Sequence, residues 1–121
     1  MSNNSNNSFK TKFDFETRKK ESDKIKLKYP NRFPVIINKT KKCELPKIDK
    51  TKFLIPGDLT IGQFIYVVRK RVKLNETDSL FLFINDKTIP LTSSLISSIY
   101  EEHKDDDGFL YIAYCNENVF G

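Results

Sequence analysis

The sequence predicts an α+β domain in which a mixed sheet wraps on one main helix. Three observations predict it. First, Thr60-Ile-Gly-Gln63 has the form of a capping box. It opens a stretch in which Ile61, Phe64, Ile65, Val68 and Val72 recur at i, i+3, i+4, i+7 and i+11, one core-facing helical stripe. Second, Phe109 to Tyr114 is an unbroken aromatic and aliphatic run, which suits a central strand covered on both faces. Third, shorter strand-like segments precede both. The chain has 121 residues, 38% of them hydrophobic and ten of them Phe, which is enough for one domain with a modest core.

Taken in order, residues 1–8 are Ser and Asn after the initial Met and read as a disordered leader. Residues 9–30 form an N-terminal helical segment. Within it Phe13 to Tyr29 is highly charged, and Phe15, Ser22, Ile25 and Tyr29 fall at roughly helical spacing. That predicts an amphipathic helix with a thin apolar stripe, docked on the domain rather than buried in it and stopped by Pro30. Residues 31–114 form the core. Arg32 to Asn38 reads as a strand with Phe33, Val35 and Ile37 on one face and Pro34 and Ile36 on the other. Pro34 has no N–H to donate, so one side of that strand should not be fully paired. Lys39 to Pro46 is a basic turn region. Lys52 to Pro56 is a short strand with Phe53 and Ile55 on one face and Lys52 and Leu54 on the other. Its brevity and its terminal Pro56 mark an edge.

After the main helix, whose last turns carry Arg69-Lys70-Arg71, Ser79 to Asn85 is a strand turned by Asn85-Asp86-Lys87. Thr92 or Ser93 is expected to cap a short helix through about His103, with Leu95, Ile96, Ile99 and Tyr100 facing the core. Asp105-Asp106-Asp107-Gly108 reads as a turn into the last strand. Residues 115–121 form a flexible tail ending in Gly121. The order matches a ubiquitin-like β-grasp: a mixed four-stranded sheet on a central helix, with an added N-terminal helical segment.

Composition also excludes functions. One histidine, His103, and two cysteines cannot supply a zinc set or a Cys-His nucleophile pair, and His103 reads as part of a helix end. No cofactor or metal is implied, and nothing resembles a Gly-rich phosphate loop. Cys43 and Cys115 stand far apart in sequence and in different contexts, so they are expected to remain free thiols in a reducing compartment. No stretch approaches the length of a membrane span, and the leader lacks the apolar segment of a signal peptide, which predicts a cytoplasmic protein. Residues 1–60 carry a balance of +8 and residues 61–121 one of −3, for a net +5. The basic half suits an acidic partner, for which tubulin is one candidate, or a membrane surface, and equally a plainly solvated surface. Nucleic acid is not expected, because no recognition motif is present and Glu16, Glu21 and Asp23 interrupt the basic run.

The strings YPNRFPVI, IDKTKFLIPGDLTIGQFIYVVRKR, SLFLFIND, IYEEHKDDDGFLYIAY and ENVFG resemble the GABARAP-type autophagy ubiquitin-like modifiers, from about Phe13 to Gly121. The resemblance implies that an E1-like and an E2-like enzyme activate Gly121 and join it to phosphatidylethanolamine. The protein would then sit on autophagosomal membranes and recruit receptors and cargo bearing aromatic-x-x-aliphatic motifs, without doing chemistry itself. Family members usually carry residues beyond the glycine that a cysteine protease removes. A chain made without them and a processed chain both fit a sequence that stops at Gly121. Asp14 stands where the family often has Pro, Phe53 where Tyr is common, and the Lys87-Thr88-Ile89 turn differs by one residue.

The resemblance also implies two apolar pockets beside the strand Lys52–Pro56. Glu21, Ile25, Pro34, Ile36, Lys52, Leu54 and Phe109 would line the first. Phe53, Ile55, Pro56, Leu59, Phe64 and Val67 would line the second. Lys50, Lys52, Arg32 and Arg71 would attract acidic residues ahead of such a motif. Periodicity alone reads Phe64, Ile55 and Leu59 as core packing.

Overall fold

A computed structural model describes residues 8–117. Two helices, α1 (Ser8–Lys12) and α2 (Phe15–Lys28), precede strands β1 (Arg32–Lys39) and β2 (Lys52–Pro56). Then come α3 (Ile61–Val72), β3 (Phe81–Ile84), α4 (Ile96–His103) and β4 (Leu110–Cys115). The sheet order is β2-β1-β4-β3. β1 pairs antiparallel with β2 and parallel with β4, and β3 pairs antiparallel with β4. This is the mixed sheet that the sequence predicts, with β4 central and β2 at an edge.

α3 forms where its signals place it. The Thr60 hydroxyl accepts from the Gln63 amide while the Gln63 side chain accepts from the Thr60 amide, so both halves of the capping box are made. Ile61, Phe64, Val68 and Val72 are buried against Val35, Ile37, Phe53 and Ile55 on one face of the sheet. Lys73 ends the helix in the left-handed region at φ 62°.

The opposite face is covered by α1 and α2. Here Ile36, Phe109 and Tyr111 form a second, smaller cluster under Phe9 and Ile25. The alternation of β1 is thus as read: Val35 and Ile37 face α3, and Ile36 faces the N-terminal helices. Pro34 lies opposite Leu54 of β2, while the parallel pairing with β4 begins one residue later at Val35. The missing N–H of Pro34 therefore costs no ladder bond.

Four local expectations change. α1 begins at Ser8, so the leader is shorter by one residue; the rest of it lies outside the described residues. The expected stripe of α2 docks only through its middle: Ser22 is buried and Ile25 packs on the second cluster, while Phe15 is 46% and Tyr29 39% exposed and Arg18, outside the stripe, is buried. α4 starts at Ile96 with no side-chain cap, because residues 91–95 are tied to the start of α3 instead. The Ile61 and Gly62 amides donate to the Ser94 and Thr92 carbonyls, and Leu95 bridges Thr60, which leaves its side chain 41% exposed rather than in the core. The basic turn after β1 also buries Cys43 and Leu45 in the main core.

Candidate functional site

The phase of β2 decides what its edge offers. In an antiparallel pair, residues alternate between positions that bond to the partner strand and positions whose backbone groups point away. Pro34 cannot donate, and the Ile37 amide donates to the Thr51 carbonyl. Odd-numbered residues of β1 therefore bond to β2, and the 34↔54 and 36↔52 pairs do not. The N–H and C=O of Lys52 and Leu54 point to the open edge. Arg32 occupies part of it, its Nη1 donating to the Leu54 carbonyl at 3.2 Å.

On the α2 side of this edge, Lys52 is ion-paired with Glu21, which joins the strand to the helix. Glu21 and Ile25 share a shallow depression of about 420 Å³ with Thr17, Lys24 and Tyr29. Leu54 is half-buried. Pro34, Ile36 and Phe109 are buried beneath the helix, the last two fully, so they form the packing under this flank rather than its walls.

On the α3 side, Leu59 and Val67 share an open apolar depression of about 620 Å³ with Gln63, Tyr66 and Thr92. Phe53, Ile55 and Phe64 lie in the core below, with the Phe53 and Phe64 rings edge to face at 5.9 Å. Pro56 is half-buried at the strand's end. Lys50 and Arg71 both stand over the Phe53 ring, at 5.2 and 5.9 Å, and Arg71 pairs with Asp49 at 3.5 Å. Arg32, Lys50, Lys52 and Arg71 are all exposed. The structure thus splits the expected lining residues into a floor and two flanks. It adds Tyr66, 59% exposed, a residue of α3 outside the stripe of Ile61, Phe64, Ile65, Val68 and Val72.

The α2 flank is positioned by a buried polar network that sequence reading missed. Asp107 is fully buried. Its Oδ2 accepts from Arg18 Nη1 at 2.6 Å and from the Tyr111 hydroxyl, and its Oδ1 accepts from the Phe109 amide. The Ser22 hydroxyl donates to the Asp107 carbonyl. Burial and the adjacent Asp107 carboxylate push the Tyr111 hydroxyl well above its ordinary pKa, so it stays a donor. Burial works to lower the pKa of Arg18, but Tyr111 and Asp107 outweigh it and raise it. Tyr100 is pushed up to about 12 by burial and by the charges of Glu101, Asp107 and Asp23, and donates to the Gly108 carbonyl.

Gly121, the expected conjugation point, lies outside the described residues. Among the described residues no group of three or more His, Cys, Asp and Glu could hold a metal, and no helix is long and apolar enough to cross a membrane.

A four-stranded β-grasp carrying two extra N-terminal helices, with an edge strand open between them and the central helix, is the architecture of the ubiquitin-like proteins of autophagy. A family model described as "Autophagy protein Atg8 ubiquitin like" matches residues 17–121. The chain is 56% identical over 113 residues to autophagy-related protein 8 of Kluyveromyces lactis, covering 93% of this chain and 90% of that one. It is 55% identical to autophagy-related protein 8e of Arabidopsis thaliana, covering 93% and 92%. The crystal structure of Trypanosoma brucei ATG8 superposes with a TM-score of 0.85 at 41% identity, covering 93% of this chain and 97% of that one. The chain belongs to the Atg8 family.

Proposed function

We propose that this protein is a ubiquitin-like modifier, joined through the Gly121 carboxylate to the amine of phosphatidylethanolamine on autophagosomal membranes. There it captures receptors and cargo bearing an aromatic-x-x-aliphatic motif. It supplies the reacting carboxylate, and the E1-like and E2-like enzymes supply the catalysis. Support for the conjugation comes from the family match, which continues through residue 121.

The observation that carries the capture reading is the free edge of β2. An extended peptide laid along it gains main-chain bonds from Lys52 and Leu54, taking the Leu54 carbonyl from Arg32. Residues of one parity on that peptide then reach toward Ile25 and Leu54, and the motif's other anchor reaches toward Leu59 and Val67. Acidic residues before the motif meet Lys50, Lys52, Arg32 and Arg71, which favours encounter.

Incubation with the E1-like and E2-like enzymes, ATP and phosphatidylethanolamine vesicles, followed by intact mass, tests the first half. A gain of one lipid at Gly121 is expected, and Gly121→Ala should lose it, because its methyl crowds a narrow catalytic cleft. An unmodified chain beside an active control protein overturns it. Calorimetric titration of a motif peptide tests the second half. Leu54→Ala should weaken binding about tenfold with an unchanged circular-dichroism spectrum, and unchanged affinity removes β2 from the site.

A further inference from the structure

The two cysteines meet in the fold. Cys115 is the last residue of β4. β1 pairs with β4 as far as Lys39↔Tyr114, and the Thr40 amide extends this by donating to the Tyr114 carbonyl. The Cys43 amide then donates to the Thr40 carbonyl, which folds the turn back over the end of β4. Both side chains are buried in the same apolar cluster, 5% and 1% exposed. They also converge on one amide: Asn116 Oδ1 lies 3.5 Å from Cys115 Sγ and 4.0 Å from Cys43 Sγ. The sulfurs are therefore separated by no more than the sum of those distances, 7.5 Å. This overturns the expectation that the two occupy different contexts.

We propose that Cys43 and Cys115 are an intramolecular disulfide site, formed by a peroxide and reversed by thiols, that ties the turn after β1 to the start of the C-terminal segment. Cys43 lies in a turn rather than in a strand, so it can approach Cys115 without breaking the sheet. Hydrogen peroxide is small enough to reach sulfurs that a bulky disulfide cannot. The Cys43 thiolate attacks one peroxide oxygen and breaks the O–O bond, giving a sulfenic acid and a hydroxide that takes up the thiol's proton as water. The Cys115 sulfur then displaces the sulfenic hydroxyl, which leaves with the Cys115 proton as a second water. Two thiols are oxidised and one peroxide is reduced to two waters. Burial first, and Cys115 beside it, hold the Cys43 thiol above its ordinary pKa, so the reaction should be slow at neutral pH and faster in mild base.

The full-length reduced protein would be treated with a modest excess of hydrogen peroxide, then denatured and alkylated. The expected product has lost two hydrogens, about 2 Da, takes up no alkyl group and yields one peptide pair joined through Cys43 and Cys115 that dithiothreitol separates. Its unfolding midpoint should rise by about 10 °C over the reduced chain, as for a cross-link closing a long loop. Cys43→Ser and Cys115→Ser should each form no internal cross-link, the remaining sulfur either alkylating as a thiol or, where peroxide has oxidised it, carrying added oxygen in place of the alkyl group. Full alkylation of both thiols after peroxide, added oxygen without a cross-link, or disulfide-linked dimers would each overturn the proposal. The wild-type peptide map decides by itself if either variant fails to fold.

Discussion

On one face of the sheet α3 lays Ile61, Phe64, Val68 and Val72 into an apolar cluster that includes every strand. On the other, α2 buries only Arg18 and Ser22, and both are held by Asp107. The first face is stabilised by area removed from water, roughly 1.5–3 kcal/mol for each large side chain. The second has a three-residue apolar cluster, Ile36, Phe109 and Tyr111, under Phe9 and Ile25, and depends on a charge pair for its fit. A buried ion pair contributes little net stability, because desolvation offsets most of the attraction, but losing one partner is costly. The central helix is thus part of the fold, whereas the N-terminal helices are fastened to it by geometry and charge. The β2 edge lies where the two regimes meet: its α3 flank is set by the core, and its α2 flank by the Arg18–Asp107 pair.

The largest expected effect lies on the α3 face. Phe64→Ala, at a fully buried position against Phe53, should cost about 3–5 kcal/mol of global stability in a denaturant titration. Hydrogen exchange should accelerate throughout the protected amides. Arg18→Ala should cost less, about 2–3 kcal/mol, since Asp107 keeps the Tyr111 hydroxyl and the Phe109 amide. Its signature should be local: faster exchange in α2 with α3 protection nearly unchanged. Uniform loss of protection in Arg18→Ala would mean that both faces unfold as one unit and would break the distinction.

The sequence makes the α3 face legible because burial there is periodic. A capping box and five apolar positions at helical spacing identify α3, and the alternation in Lys52–Pro56 correctly separates Phe53 and Ile55 from Lys52 and Leu54. The α2 face hides its logic. A period count registers Ser22 and Ile25, which dock, together with Phe15 and Tyr29, which stay exposed, and it passes over Arg18, which is buried. Asp107 sits in a run of three aspartates that reads as a turn, and it is one: the Gly108 amide donates to the Asp105 carbonyl, with Gly108 at φ 89°. Only the tertiary placement of α2 shows that one of the three carboxylates points inward. The same holds for the candidate site. Ile25 and Leu54 are visible as members of stripes, and periodicity already reads Phe64 as core, but nothing local says that Phe109 lies under α1 and α2 or that Tyr66 stands beside Leu59 and Val67 at the surface. Nor does spacing show that Cys43 and Cys115 converge, because 71 intervening residues return the chain to the same place.

The smallest predicted effect sharpens the contrast by pH. The Lys10 ammonium meets Asp105 at 2.7 Å, joining α1 to the turn before β4. Burial works to raise the Asp105 pKa, but the Lys10 and Asp107 N–H bonds and the charges of Lys10 and Arg18 outweigh it, so the carboxyl is held below its ordinary 3.8. Asp14, which caps α2, is lowered too, chiefly by its bond from Thr17. A carboxyl whose folded pKa is depressed adds stability above its unfolded value and loses it as pH falls through the folded one. Acidification from about pH 5 to below pH 3.8 should therefore loosen α1 and α2. α3 is capped by uncharged Thr60 and Gln63 and should hold. The side chains of Lys10 and Asp105 are 35% and 26% exposed, so solvent screens the pair and its share should be under about 1 kcal/mol. Amide exchange corrected for its intrinsic pH dependence would show this as a fall in α1 and α2 protection alone. Asp105→Asn should flatten most of the α1 response. An equal loss in α3, or an unchanged acid response in Asp105→Asn, would show that the Lys10–Asp105 pair does not fasten this face.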